Sequence, residues 1–258
     1  MAEPVRNQDV KLYSVRVETL QPFRIGANED PMSDIEGPIT TLGDQIVIQG
    51  SSLKGALRSQ IEEYLILNFP KDAAMQPCIP AADNNLSPDE RRLIDAGKYK
   101  RGGNCGYDYK NRDKMFLCPT CYLLGTMGLV GFVQVPYLYV TNEINVEEMY
   151  GNRRDRGSNR VADRANRSMQ LLPKGTVFEG TLEVVLEDHL RDWSLGKARE
   201  LKAPMYSDEW LKKGGWDQAR VLKELIVDRL ASIQRLGGQV SKGFGNVQVT
   251  VTDAGLKP

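Results

Sequence analysis

The chain has 258 residues, 41% hydrophobic and 26% charged. That balance is ordinary for a globular protein, and the length suffices for a core without obligatory disulfide or metal staples. Basic and acidic residues balance at 34 each, and His189 is the one histidine. These counts exclude a uniformly basic nucleic-acid glove and any multi-histidine metal site, but not local segregation of charge. No apolar run nears the roughly 20 residues that span a bilayer. The opening MAEPVRNQDVKLYS lacks a basic-then-apolar secretion pattern, so a cytoplasmic, reducing setting without a membrane partner is expected.

In chain order, residues 10–21 alternate apolar and polar, which predicts a half-buried strand. A loop rich in Gly, Pro, Asp and Glu runs from Arg24 to Gln45. A short strand-like IVI (46–48) ends at Gly50, after which Ser51 or Ser52 can N-cap a helix. Leu53, Leu57, Ile61 and Leu65 recur every four residues, so this helix buries one stripe and runs to about Asn68. Residues 69–126 carry Pro, Asn, Gly, charges and all four cysteines, with a short helical patch at 87–96; they read as an insertion. Residues 127–140 are strand-like. Residues 141–172 are polar and Arg-rich, a long loop or a projecting hairpin. A strand at 176–187 and an amphipathic helix at roughly 208–235, with Leu222, Leu225, Ile226, Leu230 and Ile233 inward, follow. GGQVSKGFG then leads to a last strand, 246–251. With IVI set aside, the order is strand, helix, strand, strand, helix, strand. This predicts an α+β fold of the ferredoxin-like, RRM-type (βαββαβ), a single domain over 1–258.

Five constellations could carry chemistry. In GSSLKGALR (50–58), free N–H groups at the helix start attract anions, and Lys54 and Arg58 share a face four residues apart. Cations at a helix N-terminus oppose its dipole by about 0.3–1 kcal/mol each, a cost that a bound phosphate relieves; a capped helix with solvated cations is the plain alternative. RLGGQVSKGFG (235–245) holds four glycines and Lys242, letting backbone amides approach a phosphate; the alternative is a helix C-cap at Gly237 plus a turn. It lacks the ending and following helix of a Walker A loop. The stretch 150–167 holds Arg153, Arg154, Arg156, Arg160, Arg164 and Arg167 against two aspartates, which suits phosphate contact or base stacking, or else a solvated loop.

Cys78, Cys105, Cys118 and Cys121 form the fourth set. CPTC (118–121) is a CxxC knuckle that places two sulfurs on one metal, and a structural four-cysteine zinc site closing the insertion is the leading reading. A redox pair is disfavoured because no thioredoxin-like strand-to-helix start precedes it; free core cysteines are the remaining alternative. The fifth set is the acidic loop NEDPMSDIEGP (28–38). Carboxylates there could hold Mg2+ or Mn2+ or align an attacking hydroxyl beside a phosphodiester, the alternative being a polar loop.

Together these segments resemble the RAMP superfamily, specifically the repeated backbone subunit of type III CRISPR effector complexes. The resemblance rests on SDIEGP (33–38) followed by IVIQGSSLKGALRSQIE, the cysteine-bearing insertion, DRANRSMQLLPKGTVFEGTLEV (163–184) and LGGQVSKGFGNVQV (236–249), in that order. It implies a subunit that stacks with copies or paralogues of itself and other effector subunits along a CRISPR RNA. A thumb hairpin (141–172) would kink the guide–target duplex. A loop aspartate would promote metal-dependent attack of a target 2′-hydroxyl on the adjacent phosphorus, making the chain an endoribonuclease active only in the assembled complex. Ser51, Ser52, Lys54 and Arg58 fall on the family's guide-contacting helix and Gly238, Lys242 and Gly243 on its glycine loop. The Arg-rich stretch, with Arg153, Arg154, Arg160, Arg164 and Arg167, falls on its thumb. The family aspartate normally lies two residues before a proline; here Glu36 holds that place before Pro38 and Asp34 lies four before. Asp34 is therefore the first catalytic candidate and Glu36 the second. The alternative is a subunit of the same complex that binds or caps the guide without cutting. An unrelated RRM-type RNA binder would instead stack bases on strand aromatics, for which the expected strands offer Phe132 and Phe178.

Overall fold

The computed structural model describes residues 7–26, 37–81, 83–101, 105, 117–126, 128–154, 157, 161–199 and 208–258. Its centre is an antiparallel sheet. Strand β1 (Gln8–Thr19) pairs on one side with β12 (Val247–Leu256) and on the other with β10 (Val177–Asp188). Next to β10 lie β6 (Val133–Gln134) and β7 (Leu138–Val140), then β3 (Gln45–Ile48) and β2 (Thr41–Leu42). The short β11 (Trp193–Ser194) folds back on the end of β10.

Alternation in the sequence sets the two faces. Val15, Val17, Phe178, Leu182 and Val249 are buried on one face, and Ser14, Glu179, Thr181, Gln248 and Thr250 lie exposed on the other. The apolar face is covered by two helical segments, α1 (Gly50–Asn68) and the run from α5 (Gln218–Arg220) through a π-helical stretch (Val221–Val227) to α6 (Asp228–Ala231). Leu53, Leu57, Ile61 and Leu65 on α1 and Leu225, Ile226 and Leu230 opposite them are buried in one core with the sheet. Phe132 and Phe178 belong to that core, 3% and 0% exposed, so neither offers a ring to an RNA base on the open sheet face.

Several elements differ from expectation for local physical reasons. Helix α1 starts at Gly50 with Gln49 as its N-cap, not at Ser51 or Ser52, and no side chain caps it. Gly50 is required there because a Cβ would lie 2.4 Å from the Val135 carbonyl oxygen. The set-aside IVI piece becomes β3 and joins the main sheet through Val47 and Ile48. The expected strand 127–140 is two short ones, parted at Val135–Tyr137, where Pro136 has no N–H for a ladder. The expected helix over 208–235 is broken. Gly214 and Gly215 adopt φ of 78° and 81°, leaving a short α4 (Glu209–Lys212), and Asp217 restarts the helix by accepting from the Arg220 N–H at 2.8 Å.

Residues between α1 and β6 form small elements of their own. Strand β4 (Cys78–Ile79) pairs in parallel with β5 (Lys100–Arg101). Helix α2 (Pro88–Asp95), the helical patch expected at 87–96, starts at a capping box between Ser87 and Glu90. Helix α3 (Pro119–Leu124) was not expected; it grows out of the CPTC knuckle with Cys118 as its N-cap. The Arg-rich excursion is a hairpin of β8 (Glu147–Arg154) and β9 (Val161–Leu171), which pair with each other and not with the main sheet.

Candidate metal centre and nucleic-acid interface

The four cysteines come from β4, from Cys105 between described segments, and from the start of α3, and they meet. Their sulfurs all lie within 4.8 Å of one another, each residue is buried, and none is in a disulfide. Three sulfur pairs stand at 3.4 Å (Cys78–Cys121), 3.7 Å (Cys105–Cys118) and 3.8 Å (Cys78–Cys118). Four thiolates at about 2.3 Å from a Zn2+ ion form a tetrahedron with edges of about 3.8 Å. The sulfur cage therefore fits a metal ion of that kind.

Two backbone amides of the knuckle point at sulfur. The Cys118 N–H donates to Cys105 Sγ at 3.3 Å and the Cys121 N–H to Cys118 Sγ at 3.5 Å. Cys121 Sγ takes its nearest external donor from α1, with Arg58 Nη2 at 4.0 Å. Hydrogen bonds from Cys105, Cys118 and Cys78 push the Cys121 thiol well below its ordinary range, and Arg58 adds in the same direction. Arg58 Nη1 also reaches Glu62 at 3.1 Å, the two side chains being 18% and 11% exposed. Burial pushes the Glu62 carboxyl up to about 7 against the pull of Arg58. Burial also draws the Lys100 ammonium down to about 8, against the opposing pull of Cys118, Cys105, Asp72 and Cys78.

Tyr122, next in sequence to Cys121, ties this region to the body of the protein. Its hydroxyl bonds to the Ser194 and Lys197 carbonyls and accepts from the Gly196 N–H. Arg199 stacks over its ring at 4.7 Å and forms a fully buried ion pair with Asp208 at 3.2 Å.

A second convergence is made by backbone. The two roots of the acidic loop are bridged through Gly26 and Ile39. The first root pairs with the base of the hairpin through Phe23 and Leu172. The second does so through Gly37 and Met169, with the Gln170 N–H donating to the Gly37 carbonyl at 2.9 Å. The glycine loop joins the same spot: the Gly238 N–H donates to the Arg24 carbonyl at 2.8 Å, and the Gly245 N–H to the Pro22 carbonyl at 3.2 Å. Gly237, at φ 81°, admits no side chain, since a Cβ would lie 2.3 Å from the Arg24 carbonyl oxygen. It is part of this junction rather than a helix C-cap, because α6 ends at Ala231. A Cβ on Gly243 would meet nothing within 4 Å, and one on Gly238 only Arg24 atoms at 4.0 Å. Three segments singled out separately in the sequence, acidic loop, hairpin and glycine loop, thus share one root.

Arg24 sits in that root and was not foreseen. Its guanidinium packs so closely that a Cβ on Gly37 would lie 2.6 Å from one of its nitrogens and a Cβ on Gly26 3.1 Å. Its Nε is buried without a hydrogen-bond partner among the described residues. No spacing in the sequence marks Arg24; only the meeting of Gly26, Gly37 and Gly238 does.

The other candidates are placed as follows. Asp34, Glu36 and Arg160 lie outside the described residues. Arg153 and Arg154 lie on β8 and Arg164 and Arg167 on β9, with Arg154 opposite Val161 and Arg167 opposite Gly151. Ser51, Lys54, Lys242 and Gly243 are exposed and Ser52 half-buried. Lys54 opens into a pocket of about 340 Å3 lined by residues of 124–134. A separate groove of about 640 Å3 runs between α1 and the approach to the glycine loop, lined by Ser59, Gln60 and Tyr64 on one side and Ser232, Gln234 and Arg235 on the other. Lys54 and Arg235, at the start of the glycine loop, therefore open into different depressions. No helix among the described residues is long and apolar enough to cross a membrane.

An antiparallel α+β sheet protein, with a buried four-sulfur cage and a half-buried arginine at the meeting of three loops, is the class that fold and site define. Residues 16–248 match the model of the RAMP superfamily, and the chain belongs to that superfamily. No curated protein matches the sequence. Its fold is similar to that of a chain in the cryo-EM structure of the Type III-B Cmr-beta bound to cognate target RNA. The TM-score is 0.50 and the identity 12%, over 95% of this chain and 62% of that one.

Proposed function

We propose that the chain is an RNA-binding subunit of a type III CRISPR effector complex, holding a CRISPR RNA and its paired single-stranded target beside other effector subunits. The observation that carries this reading is the shared root of acidic loop, hairpin and glycine loop, with Arg24 seated in it. A half-buried cation whose Nε has no partner among the described residues, beside a glycine loop that carries the exposed Lys242, suits a phosphate oxygen. Membership of the RAMP superfamily and the likeness to a chain of an RNA-bound type III-B assembly support the same reading. The strand order β12-β1-β10-β7, antiparallel throughout and crossed by α1 and by α5–α6, supports a ferredoxin-like core beneath it. Zinc is the metal that suits the four-cysteine cage.

In this reading the acidic loop presents Asp34, with Glu36 beside it, to the target strand, and the hairpin arginines grip the duplex backbone. Cleavage is the work of that loop within the assembled complex; a guide-holding subunit that does not cut is the alternative. The test is expression in the native host and capture of the complex. The wild-type chain should bring down short RNAs sharing a 5′ tag. Arg24→Ala and Lys242→Ala should each weaken RNA binding and lower the salt slope by about one. Wild-type capture without RNA would sink the proposal. Asp34→Ala that abolishes target cutting with guide retention intact assigns the cut to Asp34. Loss only in Glu36→Ala assigns it to Glu36, and a wild-type complex that never cuts leaves the non-cutting subunit.

A further inference from the structure

We propose that Arg58 is a positioning residue of the four-cysteine centre rather than a phosphate contact, and that it ties helix α1 to the bound metal. The inference rests on the cysteine cage and is independent of the RNA-binding reading. A divalent ion with four thiolates carries a net charge of about −2 in a buried site, and such a site holds its sulfurs through N–H donors around them. The knuckle supplies two, one to Cys105 and one to Cys118. Cys121 is served by neither; the Arg58 guanidinium stands against it, at 4.0 Å. Glu62, one turn further along α1, holds the other arm of that guanidinium at 3.1 Å, and Tyr99 hydrogen-bonds Glu62 in turn.

Among the described residues, Arg58, Glu62 and Lys100 are charged groups near the centre. Lys100 directs its ammonium to the Ala73 carbonyl, while Arg58 hydrogen-bonds a cysteine sulfur directly. Lys54 shares the Arg58 helix face by spacing, yet it stays exposed, while Arg58 turns inward. The two cations that look like one phosphate clamp in sequence therefore do different work.

The test uses the full chain, stripped of metal under reducing conditions and titrated with Co2+, then competed with Zn2+. Arg58→Met should bind Co2+ about 10–100-fold more weakly and shift the thiolate-to-cobalt charge-transfer band. Arg58→Lys, which keeps the charge but not the fork, should recover part of the affinity. Lys54→Ala should leave both readouts at wild type. Wild-type Co2+ affinity and spectrum in folded Arg58→Met would overturn the proposal, and so would lost RNA binding with an unchanged metal site. Should Arg58→Met fail to fold, Arg58→Lys decides: wild-type affinity and spectrum overturn the proposal, and a weakened, shifted site upholds it. A complex that captures no RNA sinks the functional reading without touching this one.

Discussion

The cysteine centre and the loop root are assembled in opposite ways. At the centre, side chains converge: four sulfurs from distant stretches meet within 4.8 Å, and an arginine from α1 turns in to them. At the root, backbone converges: carbonyls and amides of residues 22–26, 37–39, 169–172 and 236–245 bond one another, and glycine keeps side chains out. The first arrangement is closed and of a kind that a metal ion would satisfy. The second brings Arg24, the base of the Arg-rich hairpin and the glycine loop with its exposed Lys242 to one place. In the proposed function the first region shapes the chain and the second meets the RNA.

Replacing a sulfur should break the first region most severely. Structural Zn2+ contributes about 10–16 kcal/mol in small zinc-folded peptides. Cys121→Ser should drop the metal content from about one ion per chain to near zero by elemental analysis. It should also expose residues 78–126 to proteolysis while the sheet core keeps its hydrogen-exchange protection. A protein that is metal-free and equally protected throughout would break the comparison.

Next in size is Arg199→Met. It strands Asp208, whose side chain has no exposed area, and removes the stack on Tyr122 beside Cys121. A loss of about 3–5 kcal/mol in denaturant unfolding is expected. A loss below about 1 kcal/mol would show that the knuckle does not lean on this pair.

The root is sharpened by two neighbouring glycines. Gly237→Ala should cost about 1–3 kcal/mol, because its φ is positive and the Arg24 carbonyl occupies the place of a Cβ. A Cβ on Gly238 meets only Arg24 atoms at 4.0 Å, so Gly238→Ala should leave the melting temperature nearly unchanged. Any RNA-binding defect it shows then reports a lost approach of backbone to ligand. Equal destabilisation by both would erase the distinction.

The smallest effect is expected at Asp188, at the end of β10. Burial pushes the Asp188 carboxyl upward, but hydrogen bonds from Gln8 and Arg191 win and hold it below its ordinary value. A depressed folded value means stability that is present above the usual carboxylate range and lost as pH falls through the folded one. Asp188→Asn should lower stability by about 1 kcal/mol at neutral pH and flatten the acid limb of the stability curve. An unchanged acid limb would remove the assigned role.

Strand β1, the buried stripe of α1 and the short helical patch that is α2 could be read directly, since each is set by near-neighbour spacing. The single helix over 208–235 was misread because apolar periodicity continues across Gly214 and Gly215, whose left-handed backbone breaks it. IVI was passed over because three residues carry little periodicity, and their place beside β7 depends on a partner about 90 residues away. Lys54 and Arg58 looked equivalent because a four-residue spacing gives a shared face but not what faces it.

Residue order alone determined the composition of the sites: which segments bear sulfur, arginine, glycine and carboxylate, and which stripes must be buried. Those follow from local periodicity and side-chain chemistry. Tertiary structure decided which of them meet, because sulfur distances, the partners of Arg58 and the seat of Arg24 depend on chain segments far apart in sequence being brought within a few ångströms.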